Sequence, residues 1–363
     1  MRAIPRRLIA IAAIYLLGCV AAAAENQSRN DYVIVASAAN KRQLVASQGE
    51  TVRRLADISP MTLFGTSGSE AGIISHRDDA AEETVSIIDL HDLSHVSKLP
   101  LVDAQTVPLT TGPHQSLVIL KEAIFFAGSG KGVDGRERIG GNQLMRLDRG
   151  TGKATAFEVP RRKQNSWHAN IFKAGNHIVF PAGESLEVFS IETNAFIASV
   201  PCEEPSGAFI YSSGFVYVDG AGIFQFGRGG IDKLSSADFK TPEKPQHVDV
   251  RGRIYHAVPV QLPGGSVIVC LGDAVDKAGR DISGKVSLTA FNVSDGKLLY
   301  QVDILGSSVP PVVGADGRTI YLCDIKNATV RKVSAATGES IGEDLLPEEL
   351  RKASYFWLIG VAQ

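Results

Sequence analysis

The chain has 363 residues, 44% of them apolar and 21% charged, which is enough apolar material for a large folded core and argues against general disorder. Its formal charge of −2 argues against nonspecific nucleic-acid binding as the main task. Four cysteines are too few to staple a fold of this length.

Arg2, Arg6 and Arg7 precede an apolar run over residues 8–17, too short to span a membrane as a mature helix, and Ala22-Ala23-Ala24 supplies a small-residue cleavage site. Residues 1–24 therefore read as an export signal, and residues 25–363 as one periplasmic or secreted domain. Leu16-Leu17-Gly18-Cys19 also resembles the lipobox of bacterial lipoproteins, so the alternative is a lipoprotein anchored to a membrane through Cys19. Without the leader, 37 basic residues fall to 34 against 39 acidic ones, a formal charge of −5. The remaining Cys202, Cys270 and Cys323 are odd in number, so at least one thiol is unpaired within a monomer, the expected state.

From Asp31 onward, short β-branched and aromatic runs alternate with Gly, Asp, Asn and Ser, an all-β pattern with almost no helical periodicity. The clearest unit spans residues 285–299, a strand, an Asp295-Gly296 turn suited to positive φ, and a returning strand. Taking hairpin tips at Gly49, Asp92, Gly152, Asn194, Gly230, Gly296 and Gly338 gives spacings of 43, 60, 42, 36, 66 and 42 residues, about 48 on average. Such spacing suits four-stranded blades of a seven-bladed β-propeller. An eight-bladed or open sandwich arrangement is the alternative.

The first unit offers three strands, at residues 32–35, 43–46 and 51–55, whereas the C-terminal run Tyr355-Phe356-Trp357-Leu358-Ile359-Gly360-Val361 has no hairpin of its own. This last run is predicted to become the inner strand of the first blade, closing the ring and covering an exposed edge. Residues 345–352, with Pro347 and two glutamates, suit a short helix before it. Long loops are expected at residues 128–142 and 272–284, on the face where inner strands begin. The Gly128-Ser129-Gly130-Lys131-Gly132 run lacks the full phosphate-loop spacing and a following helix.

His114, His168 and His256 each stand at or beside the start of a predicted inner strand, and inner strands converge on one mouth of the axis. Neutral imidazole is a good zinc ligand, and three such groups with a carboxylate or water make a tetrahedral site. The competing reading is that each imidazole hydrogen-bonds a nearby loop carbonyl. Glu203 and Glu204, after Cys202, are candidates for an acidic fourth ligand, and Cys202 for a thiolate ligand. His247, with Asp249 nearby, reads as solvated, and Cys270 and Cys323 as small buried hydrophobes.

Pro113-His114, Trp167-His168-Ala169, Cys202-Glu203-Glu204-Pro205-Ser206-Gly207 and Tyr255-His256-Ala257-Val258, each leading into a strand, resemble the secreted propellers that serve bacterial zinc ABC importers as metallochaperones. That resemblance implies zinc bound by histidines at the propeller mouth and passed to a periplasmic zinc solute-binding protein. The family's histidine-rich N-terminal segment is missing, since residues 25–30 hold no histidine. More broadly the chain resembles the quinoprotein and YVTN-like superfamily, which includes amine dehydrogenase subunits, lactonases and binding scaffolds. The alternatives to a zinc carrier are thus a metal-free protein-binding scaffold and an enzyme of lactonase or quinoprotein type.

Overall fold

The computed structural model describes residues 31–38, 41–58, 62–75, 83–101, 114–115, 117–128, 143–160, 170–203, 214–242, 246–307 and 309–362. The expected leader, Cys19, His168, Glu204 and nearly all of the loop at 128–142 lie outside these residues. No helix among them is long and apolar enough to cross a membrane.

Strands β1 (Tyr32–Ala38), β2 (Lys41–Gln48) and β3 (Thr51–Ile58) form an antiparallel meander. The turn after β2 places Gly49 at φ 57°, a left-handed conformation that glycine adopts without strain. A second sheet runs β4 (Thr62–Ser67), β5 (Glu70–Ser75), β6 (Glu83–Asp89) and β7 (Val96–Leu101), and the short β8 (His114–Gln115) joins β4 in parallel. A third comprises β9 (Leu117–Ile119), β10 (Ala123–Gly128), β11 (Gln143–Asp148) and β12 (Ala154–Glu158). A fourth comprises β13 (Phe172–Ala174), β14 (His177–Pro181), β15 (Ser185–Ser190) and β16 (Ala195–Pro201).

The next seven strands are continuous in hydrogen bonding: β17 (Phe215–Val218), β18 (Gly222–Phe226), β19 (Arg228–Lys233), β20 (His247–Leu262), β21 (Gly265–Val275), β22 (Asp281–Asn292) and β23 (Leu298–Leu305). The 16-residue β20 belongs to two four-stranded groups, because its first half pairs with β19 and its second half, from Ile254, with β21. A last sheet holds β24 (Val312–Val313), β25 (Thr319–Asp324), β26 (Thr329–Ser334) and β27 (Ser340–Leu345). The short helix α1 (Glu348–Arg351), which Pro347 precedes as expected, leads to β28 (Tyr355–Val361). β28 pairs antiparallel with β1, Val35 opposite Trp357 and Ser37 opposite Tyr355, as the C-terminal run suggested.

Inner and outer strands bury their residues differently, and their sequences reflect it. β10 (AIFFAG) and β25 (TIYLCD) are buried at every position, since neighbours cover both sheet faces. The outermost β12 and β16 are exposed or half-buried at every position but Val200. Apolar side chains fill the spaces between successive sheets: Ile124, Phe125 and Phe189 between the third and fourth, and Val269, Leu288 and Ile320 between the sixth group and the last. Tyr32, Ile34, Cys323, Val330 and Trp357 fill the space shared by the first and last sheets. There the Tyr32 hydroxyl donates to Asp344, whose carboxylate also meets Lys332 Nζ at 2.8 Å.

One sequence expectation is refined and one corrected. Gly230 closes the β18–β19 hairpin turn, where the Gly227 amide donates to its carbonyl at 3.2 Å, and it also lies opposite Asp249 of β20, beside a register shift. Its glycine serves close strand approach, since a Cβ there would stand 2.3 Å from the Val248 carbonyl oxygen. Residues 272–284 are not a long loop: β21 runs on to Val275 and β22 starts at Asp281, leaving a short turn in which the Asp276 carboxylate accepts from the Ala278 and Arg280 amides.

Candidate functional site

Strands from several sheets line a cavity of about 490 Å³. Its wall is built from the end of β4, then β9, β13 and β17, the second half of β20, and Pro310-Pro311 ahead of β24. Gly65 is what lets β9 come so close to β4, because a Cβ there would stand 1.8 Å from the Leu117 carbonyl oxygen. Most of the lining is apolar, and its ionisable members among the described residues are Lys173, Tyr217 and His256.

His256 is 4% exposed and sits where β20 joins β21, opposite Leu271. Its neighbour Tyr255 donates its hydroxyl to Asp273, 2.6 and 2.7 Å from the two carboxylate oxygens, with the Arg253 guanidinium 5.6 Å from the ring centre. Burial and the Asp273 carboxylate push the Tyr255 phenol up to about 12, so it remains a donor at neutral pH. This pair fixes the strand segment that carries His256.

His114 opens β8 opposite Leu63 of β4, whose strand continues into the cavity wall. The backbone thus brings His114 next to a strand of the site that holds His256. Glu203 follows β16 and is exposed; its carbonyl accepts from Gln225 Nε2 at 2.8 Å, and it is not among the residues lining the cavity. His168 and Glu204 lie outside the described residues. Among the described residues no three His, Cys, Asp or Glu side chains gather as metal ligands.

Cys202 is half-buried, its Sγ 3.5 Å from the Gly183 carbonyl oxygen. Burial, aided by Glu184 and Glu187, pushes its thiol up to about 12, which disfavours the thiolate a metal requires. Cys270 and Cys323 are buried free thiols, in keeping with their reading as small hydrophobes.

Sequence matching finds no family model and no curated relative for this chain. Solved structures do match. The periplasmic gluconolactonase of Pseudomonas aeruginosa superposes with a TM-score of 0.52 at 11% identity, covering 91% of this chain and 99% of that one. Kuenenia stuttgartiensis hydrazine synthase gives 0.52 at 9% identity, covering 84% and 95%. The chain has a β-propeller-like fold. At such identities the likeness concerns fold alone, and chemistry must be argued from this chain's own residues.

In this propeller-like fold the cavity continues toward a second one of about 430 Å³, which shares Lys173, Tyr217 and Pro259 and adds Asp219, Gln261 and Ser266. The Tyr217 hydroxyl lies 3.5 Å from Asp219, and burial raises its phenol above the ordinary value. Sequence reasoning missed Lys173 and Tyr217. Both are ordinary residues of short strands, and only the approach of the fourth and fifth sheets gives them a shared cavity. It also missed the partner of His247, whose Nδ1 is 2.7 Å from Asp232 on the facing strand while Nε2 is 3.2 Å from Asp249.

Proposed function

We propose that the chain closes into a seven-bladed propeller that binds zinc at one mouth of its axis. Seven four-stranded groups support the ring, β20 serving in two of them and β28 supplying the innermost strand of the first. Their innermost strands touch in order, β4 to β9, β13, β17, β20, β24 and β28, and β28 touches β4 again. The apolar packing between first and last sheets agrees with this closure.

The observation that carries the zinc reading is His256, a buried imidazole lining the axial cavity. His114, one strand away from the wall, and His168 are the companion ligands, with Glu203, Glu204 or water completing a four-coordinate site. A site completed by water releases its ion more readily than one closed by four protein ligands, which suits a carrier. The sequence resemblance makes the recipient a periplasmic zinc solute-binding protein, reached after export directed by residues 1–24. Replacing His114, His168 and His256 together with Ala is expected to remove zinc that the parent protein retains, about one per chain, against a competing chelator. Equal retention by the triple variant defeats the proposal.

A metal-free scaffold is the second reading, favoured by the paired extension of β21 and β22 around the exposed turn at 276–280. Shortening that hairpin is then expected to weaken capture of a protein partner while zinc content and thermal stability stay unchanged. A lactonase-type enzyme has only the likeness of fold in its support.

A further inference from the structure

The cavity that His256 lines continues well past that residue. Along β20, His256 and Ala257 line the larger cavity, Pro259 lines both, and Val260 and Gln261 line only the second. At about 3.3 Å of rise per residue, roughly 16 Å of strand separates His256 from Gln261. The second cavity is bordered where β13, β17 and β20 end in turns, by Gly175, Asp219 and, at the start of β21, Ser266. At about 490 and 430 Å³, each cavity is of a size that takes a small organic molecule.

The lining restricts the chemistry of such a molecule. Apolar side chains dominate the larger cavity, among them the Phe172 and Phe215 rings, 6.3 Å apart and 17° from parallel. Lys173 is the one described residue there with a permanent charge, and it lines the second cavity as well. It takes part in none of the ion pairs among the described residues. Asp219, the one carboxylate lining either cavity among the described residues, stands instead 3.5 Å from the Tyr217 hydroxyl, long for an O–H···O bond. Tyr217 also lines both cavities, and burial, followed by Asp219, raises its pKa and keeps it a donor. On the side of the second cavity, the Ser266 hydroxyl donates to Gln261 Oε1 at 2.7 Å. This leaves the Gln261 amide nitrogen as the free end, 3.4 Å from the Leu262 carbonyl.

The geometry points to a binding site for a small organic monocarboxylate, its apolar body in the larger cavity and its carboxylate held by Lys173 and Tyr217 where the two cavities meet. A carboxylate supplies the counter-charge that Lys173 lacks and accepts the hydrogen of a phenol that stays protonated, and bonds to a charged acceptor are the stronger kind. An alkyl or aryl body suits the apolar walls. Asp219 narrows the choice further, because a dianion such as inorganic phosphate would bring a second negative charge beside it, whereas a monoanion brings one, already neutralised by Lys173. A cationic ligand would meet the ammonium of Lys173. The site is independent of the zinc reading, since neither Lys173 nor Tyr217 is a ligand there.

Isothermal titration calorimetry tests this on the purified protein, stripped of metal by dialysis against a chelator so that no ion can take up the carboxylate. The probes are butanoate, hexanoate, octanoate and, as the uncharged control, octanol. Affinity is expected to rise along the acid series by up to about fourfold for each methylene buried. Octanol is expected to bind about tenfold more weakly than octanoate, and Lys173→Met to weaken octanoate by a similar factor. Tyr217→Phe is expected to cost about fivefold. Lys173 is exposed, so its replacement leaves the fold in place, and Lys153→Met, at an exposed lysine of the β11–β12 turn, is expected to bind octanoate as the parent does. A parent that binds none of the acids, octanol bound as tightly as octanoate, or an affinity that ignores chain length overturns the proposal. Equal binding by Lys173→Met and the parent, or equal loss in Lys153→Met and Lys173→Met, does so too.

Discussion

An imidazole held between two carboxylates keeps its proton longer than one in water, and His247 is so held by Asp232 and Asp249. The hydrogen bond to Asp232 is the main cause that raises its pKa above the ordinary 6.5, with burial opposing. Its stabilising contribution is therefore full below the unfolded value and is lost as pH rises through the folded one. NMR titration is expected to find His247 with a midpoint above 6.5, shifted down in Asp232→Asn; a midpoint below 6.5 in the parent contradicts the assignment. Because the group is exposed, the effect on stability is small. The sequence reveals Asp249 two positions away, but Asp232 is fifteen residues distant and becomes a neighbour only through the β19–β20 pairing. His256 was legible as a candidate because it opens an apolar run; that it lines a cavity depends on β4, β9, β13 and β17.

Turn chemistry makes most elements legible, and close backbone approach hides the rest. Asp148 shows the first case: its carboxylate accepts from the Thr151 hydroxyl and the Gly150 and Thr151 amides, which fold the β11–β12 turn and lower its pKa. Gly230 shows both, a glycine that closes the β18–β19 turn and also lets the strand press against Val248 of its neighbour. Gly65 belongs to the second class and can be tested. Gly65→Ala puts a methyl group into the Leu117 carbonyl and is expected to destabilise by about 2 kcal/mol or more, displacing β9 from the cavity wall. The control is Gly68→Ala, with nothing within 4 Å of its added methyl and an expected change within about 0.5 kcal/mol. Urea denaturation compares the two, and equal effects would contradict the assigned role of Gly65. Strand lengths were less legible than turns: the β21–β22 hairpin looks loop-like because Gly272, Gly279 and Gly284 interrupt it, yet pairing continues to Val275 opposite Asp281.

For the molecule as a whole, the proposed closure rests on the last strand. Trp357 is fully buried on β28, with its ring 4.5 Å from that of Phe64 on β4, so one side chain ties the C-terminus to the first and second sheets. Trp357→Ala is expected to cost about 3–5 kcal/mol, and removal of residues 355–363 to abolish cooperative unfolding. A truncated chain that melts like the parent would refute the closure. The aromatic run without a hairpin partner made this arrangement readable in the sequence, because an apolar strand at a chain end needs a sheet to join. Function was less readable, since a propeller-like fold of this kind gathers its cavity from short segments far apart in the chain. The most direct test of the zinc reading is the zinc K-edge absorption spectrum of the purified, zinc-loaded protein. The account predicts histidine nitrogens at about 2.0–2.1 Å, reduced in number in His256→Ala. A protein that retains no zinc, or a metal shell unchanged in that variant, would contradict it.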